Sequence, residues 1–243
     1  MKIAHLTSVH SADDVRILHR ECASLAREGH DVAFICGRGD AEAGERLGVR
    51  IVPVRPARGR LGRMLVVTGR VLRAALRERA DLYHYHDPEL LGAALVLLVL
   101  GKRVVFDVHE DLPKQILTKH WIPGPLRRMT SAFARALERP TAHAMSGVVA
   151  AIPSVLPAFP ARHVALVQNF PTLAEFCDVP ERPVERSGAP KVGFFGGISA
   201  IRGATEIVAA IGRCTDPDVR LVLAGAFTPA ALEDEVRELP GWE

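Results

Sequence analysis

The sequence has little of what marks several protein classes. Its four cysteines, Cys22, Cys36, Cys177 and Cys214, show neither a CxxC nor any other paired spacing. That argues against a disulfide framework and a cysteine zinc centre, and reduced thiols suit a cytoplasmic compartment. Aromatic residues make up 5% of the chain, and no aromatic platform accompanies its arginines, so nucleic acid is not an expected partner. The opening MKIAHLTSVH reads as a strand and lacks a signal-peptide pattern. The longest apolar run, Leu90 to Leu100, falls short of the roughly 20 residues that a spanning helix needs. Charge of one sign is scarce too: 31 Lys and Arg stand against 28 Asp and Glu.

What is present is 48% hydrophobic residues in a chain of 243, enough to bury one large core or two modest ones. The pattern alternates short β-rich runs with amphipathic stretches. Lys2 to Val9 reads as a strand, and Asp14 as the N-cap of a helix over Val15 to Glu28. In that helix Ile17, Leu18, Cys22, Leu25 and Ala26 form an apolar stripe. Strands follow over Asp31–Cys36 and Val49–Val54, separated by the loop GRGDAEAGERLG. This order predicts an α/β fold with a doubly wound parallel sheet.

The stretch from Leu82 to Ile116 carries most of the ionisable side chains that invite chemistry. It reads as strand, helix, strand, with His84, His86 and Asp87 ending the first strand and Asp107, His109, Glu110 and Asp111 ending the second. Ligands of parallel α/β sheets bind beyond the carboxyl ends of the strands. His84 and His86 share one strand face, opposite Tyr83 and Tyr85. His-x-His-Asp raises the question of a metal, but no second ligand set stands at a diagnostic spacing, so no metal site is expected. His84 is assigned to packing, and His86 with Asp87 to ordering the loop before Pro88. Glu110 and Asp111 either tune His109 or cap the next segment. In the loop after the first strand, His10 and Asp14 are further candidates for substrate contact.

Arg58 to Arg79 reads as one basic amphipathic helix. Steps of 100° place Leu61, Met64, Leu65, Thr68, Leu72, Ala75 and Leu76 on one face, opposite Arg63, Arg70 and Arg77. Two readings stay open: a solvated basic face, or attraction to an anionic membrane surface at about 1 kcal/mol per basic residue. A helix over Leu126 to Met145 is expected to kink or divide at Pro140. Shorter elements follow at Gly147–Ile152, Pro153–Phe159 and Val164–Gln168. The Pro-rich NFPTLAEFCDVPERPVERSGAP reads as an interdomain linker, and the α/β pattern restarts at Lys191. Strands over Lys191–Phe195 and Val219–Ala224 alternate with helices over Ala204–Cys214 and Thr228–Leu239.

Four segments in this order, SVHSADDVRILHRECASLAREGHDV, YHYHDPELL, VVFDVHEDLPKQI and VGFFGGISAIRGATEIVAAI, with VQNFP before the linker, resemble bacterial family 4 glycosyltransferases of the GT-B fold. The branch they resemble is associated with cell-surface polysaccharide assembly. The resemblance implies a Rossmann-like acceptor-side domain over residues 1–169, a linker over 170–190, and a truncated nucleotide-sugar-binding domain over 191–243. The family's paired glutamates would lie beyond Glu243, so a fragment inactive alone is expected. The implied reaction is hexosyl transfer from a nucleotide-sugar donor to a lipid-linked or polysaccharide acceptor. Retention, no cofactor, no metal, and a place at the inner membrane face are implied with it. Two alternatives remain: a nucleotide-sugar epimerase of the same fold, and a non-catalytic acceptor-binding or membrane-associated domain.

The resemblance also assigns residues. His109 matches the family's active-site histidine and is the candidate catalytic residue. His10, Asp14, His86 and Glu110 are the candidate substrate-binding residues of the same crevice. In GGISAIRG, Arg202 matches the family's diphosphate-binding lysine, with Gly196, Gly197 and Gly203 forming the turn around it. Gly197 stands where the family usually has an arginine, so one expected cation is missing. A Gly-rich strand-to-helix turn presents backbone N–H groups to a phosphate, and a guanidinium grips phosphate through two parallel bonds.

Overall fold

A computed structural model describes residues 1–37, 42–119, 122–159, 163–175, 177 and 188–242. About half of the expected linker, part of the GRGDAEAGERLG loop, the Leu61 and Arg63 side chains, and Glu243 lie outside the described residues. The chain forms two compact units, Met1–Phe176 and Cys177–Glu243.

The first unit is built on one sheet of eight strands: β1 Lys2–Thr7, β2 Asp31–Cys36, β3 Gly44–Arg46, β4 Val49–Pro53, β5 Leu82–Tyr85, β6 Arg103–Val108, β7 Gly147–Ala150 and β8 Val164–Leu166. Their order across the sheet is β3-β4-β2-β1-β5-β6-β7-β8. Every pairing is parallel except β3 with β4. β3 is a short antiparallel edge strand inside the segment expected to be loop. The parallel strands place their carboxyl ends along one edge, and the order reverses at β1, where chains leave toward opposite sides of the sheet.

The two faces differ in chemistry. On one, Ala4 and Leu6, Tyr83 and Tyr85, and Val104, Phe106 and Val108 join a continuous apolar core under the helices Thr68–Glu78 and Leu91–Val99. The rings of Tyr85 and Phe106 stack there with centroids 4.6 Å apart. On the other face β2 and β4 stay apolar, packing Val32, Phe34, Val49 and Ile51 against Ile17, Leu18 and Cys22. Between β1, β5 and β6 that same face is polar. Period-two alternation sends His5, His84 and Asp107 to it, and all three are buried.

Three departures from the expected helices have local causes. The helix after β1 is wound as a π-helix over Val15–Cys22 before α-helical Ala23–Arg27. The basic segment contains a second π-helical stretch, Arg63–Val67, between Gly59–Gly62 and Thr68–Glu78. Its wider turn shifts the phase, so the buried stripe is Val67, Val71 and Ala75. Met64 and Leu65, expected on the buried face, are exposed, Leu65 to 72%. The helix Gly124–Ala144 is not divided and runs through Pro140. There the Thr141 hydroxyl donates to Leu137 O at 2.7 Å and Glu138 O at 3.0 Å, and Ala142 and Met145 anchor the last turn in the core.

The second unit pairs β9 Lys191–Phe195 with β10 Arg220–Ala224 in parallel. The helices Ala204–Ile211 and Leu232–Arg237 bury Ala204, Val208, Leu232 and Val236 around Ile198. Phe195 stays 74% exposed on its strand. A Cβ on Gly225 would collide with the Gly196 carbonyl oxygen, so this crossing requires glycine.

One buried acid in the first unit sets a pH dependence. Glu138 is buried, and burial, reinforced by the Asp111 carboxylate, pushes its pKa from 4.5 up to about 7. Between those two values the folded chain holds a proton that the unfolded chain has released, so stability falls as pH rises through that window. Glu138→Gln should therefore raise the urea midpoint of this unit at pH 8 and leave it nearly unchanged at pH 4.5. An equal shift at both values would assign the effect to packing instead.

Candidate active site

A cavity of about 640 Å³ opens at the carboxyl ends of β1 and β6 to β8 in the first unit. Its wall includes His10, Asp14 and Arg16 after β1, Asp107, His109 and Glu110 at the end of β6, and Gln168, Asn169 and Phe170 beyond β8. The fold thus brings together four of the sequence-predicted residues: His10, Asp14, His109 and Glu110.

Each is positioned by its own local chemistry. Asp14 caps the helix that follows, its Oδ1 accepting from Ile17 N at 2.9 Å. Its Oδ2 lies 2.8 Å from His10 Nδ1, while His10 Nε2 lies 3.4 Å from Asp87 Oδ1. Burial opposes ionisation of Asp14, but the bonds from His10 and the Ile17 amide outweigh it and bring its pKa down to about 2. The bond to Asp14 in turn raises the pKa of His10. His109 follows β6 directly, its side chain 25% exposed and its Nδ1 3.6 Å from Asp107 Oδ2. The His10 and His109 rings meet edge to face with centroids 5.6 Å apart. Glu110 accepts a bond from the Gln115 side chain. Asp111 caps the helix Leu112–Leu117 by accepting from Lys114 N at 3.0 Å, so the capping role falls to Asp111.

Beneath the cavity lies a buried ionic network. Asp107 accepts Arg16 Nη2 at 2.6 Å and Arg16 Nε at 3.1 Å, and its Oδ2 is 3.0 Å from His86 Nδ1. Burial alone would raise the Asp107 pKa; His109, His86 and Arg16 together hold it well below the usual carboxylate range. Arg16 also lies 2.9 Å from Glu21 Oε1 and reaches Val167 O at 3.3 Å. Asp87 accepts from the Thr7 hydroxyl at 2.6 Å and the Ser8 amide at 2.5 Å, which fixes the loop leading to His10.

Two expectations need correction. His86 is not a substrate contact: it is fully buried and held between Asp107 and His5, whose Nδ1 lies 3.0 Å from His86 Nε2. It positions Asp107 from below. The ground for excluding a metal also fails, because the fold adds His5 from β1 and Glu21 from the π-helix to the His84–His86 pair. Burial lowers the pKa of His5 well below its ordinary value and that of His84 to about 3, and raises that of Glu21 to about 7.

Arg16 and Glu21 are the functional-site residues that sequence reasoning did not single out, and Asp107 was named only within the strand-end cluster, without a role. Asp107 had a signal, since it ends the same strand as His109. Arg16 and Glu21 had none at the α-helical period. A π-helix closes its bonds over five residues, which brings positions i and i+5 to one face.

In the second unit Gly196, Gly197, Arg202 and Gly203 form the turn after β9. Gly196 and Gly203 have φ of +113° and +77°, values that side-chain-bearing residues rarely adopt. The Arg202 guanidinium folds back to within 3.5 Å of where a Gly196 Cβ would stand. The amides of Gly196 and Gly203 are not offered to a ligand, because they donate to Ala224 O at 2.9 Å and Ala200 O at 3.0 Å. Gly196 and Gly203 supply backbone shape.

Comparison with known proteins places this architecture. No curated protein is significantly similar in sequence. Among solved structures, sucrose-phosphate synthase from Thermosynechococcus elongatus superposes with a TM-score of 0.67 at 14% identity, over 98% of this chain and 67% of that one. The catalytic domain of Arabidopsis thaliana starch synthase IV, bound to ADP and acarbose, gives 0.63 at 13% identity, over 96% and 70%. Anabaena HepE, in complex with UDP and glucose, gives 0.58 at 16% identity, over 98% and 65%. The chain thus spans about two thirds of the length of these structures, which share its fold. The Glycosyltransferase Family 4 profile matches residues 15–156, a span that includes the π-helix carrying Arg16 and the ends of β5 and β6, where His86 and His109 follow. A match over more than half the chain, in a GT-B architecture, makes this protein a member of Glycosyltransferase Family 4.

Proposed function

We propose that this protein transfers a hexosyl group from a nucleotide-sugar donor to a lipid-linked or polysaccharide acceptor in cell-surface glycan assembly. Transfer proceeds with retention at the anomeric carbon and without a metal at the bond that breaks. The observation that carries the reading is the cavity holding His10, Asp14, His109 and Glu110 at the strand ends of a Family 4 chain.

In this reading the first unit receives the acceptor, and its side chains divide the work. His109 borders the cavity with a ring nitrogen 3.6 Å from Asp107, and it holds or passes a proton at a sugar hydroxyl. His10 and Asp14 act as one charged pair beside it, and Glu110 accepts a further hydroxyl. In the second unit Arg202 takes the negative charge that develops on the leaving diphosphate. A guanidinium in this place can bond two oxygens at once, which partly offsets the absence of a cation at Gly197.

Association with the inner membrane face belongs to the same proposal. Among the described residues no helix is long and apolar enough to cross a membrane. Met64, Leu65 and Val66 are exposed in the segment that also exposes Arg70, Arg73 and Arg77. A second exposed stripe, with Met129 and Phe133, runs along the helix Gly124–Ala144. Apolar side chains beside basic ones are what an anionic lipid surface attracts.

Three measurements test these parts. Arg202→Ala should weaken nucleoside diphosphate binding about tenfold or more by calorimetry, as expected for a lost charge-assisted contact; unchanged affinity would remove Arg202 from the site. His109→Ala should lower kcat about 10²–10⁴-fold, the usual range for a positioned acid or base, while nucleotide affinity holds. A kcat within twofold of the parent would leave His109 a structural role only. In vesicle sedimentation, binding should rise with anionic lipid and fall about fivefold for each of Arg70, Arg73 and Arg77 changed to glutamine, from about 1 kcal/mol apiece. Equal binding to neutral and anionic vesicles would end the membrane part.

A further inference from the structure

We propose that His5, Glu21, His84 and His86 bind a divalent transition-metal ion of the zinc class, buried beneath the acceptor cavity and separate from the transfer chemistry. The site follows from sheet register. His5 and His84 face each other across the parallel β1–β5 pair, and His86 follows two residues later on the same face. The three rings lie with centroids 4.7, 4.7 and 5.2 Å apart. Glu21 Oε2 is 3.9 Å from His5 Nδ1, 4.0 Å from His84 Nδ1 and 3.9 Å from His86 Nδ1. One ligand-type atom from each of the four lies within 4.8 Å of all the others.

Unsatisfied lone pairs point to an ion. His5 Nε2, His84 Nε2 and both Glu21 carboxylate oxygens are buried without a hydrogen bond. Arg16 Nη2 lies 2.9 Å from Glu21 Oε1, but not in the alignment a hydrogen bond needs. Such groups are costly to leave unpaired, and native interiors leave few of them. A water would bridge two or three; a cation would take lone pairs of His84 and Glu21 together with those of His5 Nδ1 and His86 Nε2.

The surroundings suit a metal as well. His86 Nδ1 lies 3.0 Å from the Asp107 carboxylate, the outer partner that fixes a metal-binding imidazole and leaves Nε2 to the ion. That Nε2 is 3.0 Å from His5 Nδ1. Tetrahedral zinc with bonds of about 2.0–2.1 Å sets its nitrogen ligands roughly 3.3 Å apart, close to this spacing. Rotation of the Glu21 side chain, which comes from the helix and not the sheet, brings the carboxylate in. Glu21 and Asp107 together cancel two of the three positive charges of Arg16 and the ion. A cavity of about 510 Å³, lined by His5, Glu21 and His84, gives a path inward. Three nitrogens and one oxygen favour zinc, cobalt or nickel over magnesium and calcium. Bound there, the ion would pin the π-helix to β1 and β5 and fix the stem from which Arg16 reaches Asp107.

The test is uptake of Co²⁺ by the metal-free protein, followed by displacement with Zn²⁺. One Co²⁺ per chain is expected, with the visible absorption of four-coordinate cobalt, unaffected by excess Mg²⁺. Glu21→Gln and His84→Gln should each weaken uptake at least tenfold while far-ultraviolet circular dichroism stays native. Should His84→Gln fail to fold, imidazole nitrogen NMR of the unaltered protein decides: Zn²⁺ must shift the ring signals of three histidines together. Absence of stoichiometric uptake at pH 7.5, uptake that survives Glu21→Gln in full, or unmoved ring signals would each overturn the site.

Discussion

The ion pair between Arg16 and Asp107 is the interaction on which the rest of the first unit depends. Asp107 is buried at the end of β6, and Arg16 comes from the helix after β1, so the two bonds of 2.6 and 3.1 Å tie together elements far apart in the chain. Isolated, the carboxylate would be costly to bury, and removal of one member of such a pair costs about 3–5 kcal/mol. The pair is tolerable because its remaining valences are used: His86 takes Asp107 from beneath, His109 approaches from the cavity side, and Val167 O accepts from Arg16. The network therefore orients His109, fixes the helix that presents Asp14, and holds the segment after β8 against both.

The sheet makes this possible by being different on its two faces. Tyr83, Tyr85, Phe106 and their neighbours give one face an apolar core that supplies most of the burial. The opposite face is apolar only over β2 and β4, where Ile17, Leu18 and Cys22 cover it. Polar groups can then occupy the middle of the sheet without undoing the fold. The wide winding over Val15–Cys22 is what reconciles the two demands. It keeps Ile17, Leu18 and Cys22 on apolar strands while turning Arg16 and Glu21 together toward the polar ones.

Much of this was legible from residue order. The alternation in LYHYHD separates tyrosines from histidines correctly, because period two holds in any strand. Clusters after Tyr85 and Val108 mark the strand ends that border the cavity or support it. Other parts were not legible, each for a physical reason. Steps of 100° assume α-helical winding, so π-helical turns hid Arg16 and Glu21 and misplaced Met64 and Leu65. His5 lies some 80 residues before His84 and His86, and only the β1–β5 register joins them. His86 reads as a crevice residue from its place at a strand end. Its burial depends on Asp107 and His5 arriving from neighbouring strands, which no local pattern encodes.

Arg16 stands between two environments that make opposite demands on it. Toward the cavity it is part of the wall beside Asp14 and His109, where a fixed positive charge favours polar or anionic groups on a ligand. Toward the interior it faces Glu21, whose carboxylate sits among three histidines. Because Asp107 holds the guanidinium through two bonds, Arg16 cannot swing freely from one side to the other. Any change in the charge of the histidine cluster is thus felt at the cavity through a rigid pair, without movement of the strands. A lysine at position 16 would keep the charge but lose the second bond to Asp107, and with it the fixed geometry that lets one side chain serve both sides of the site.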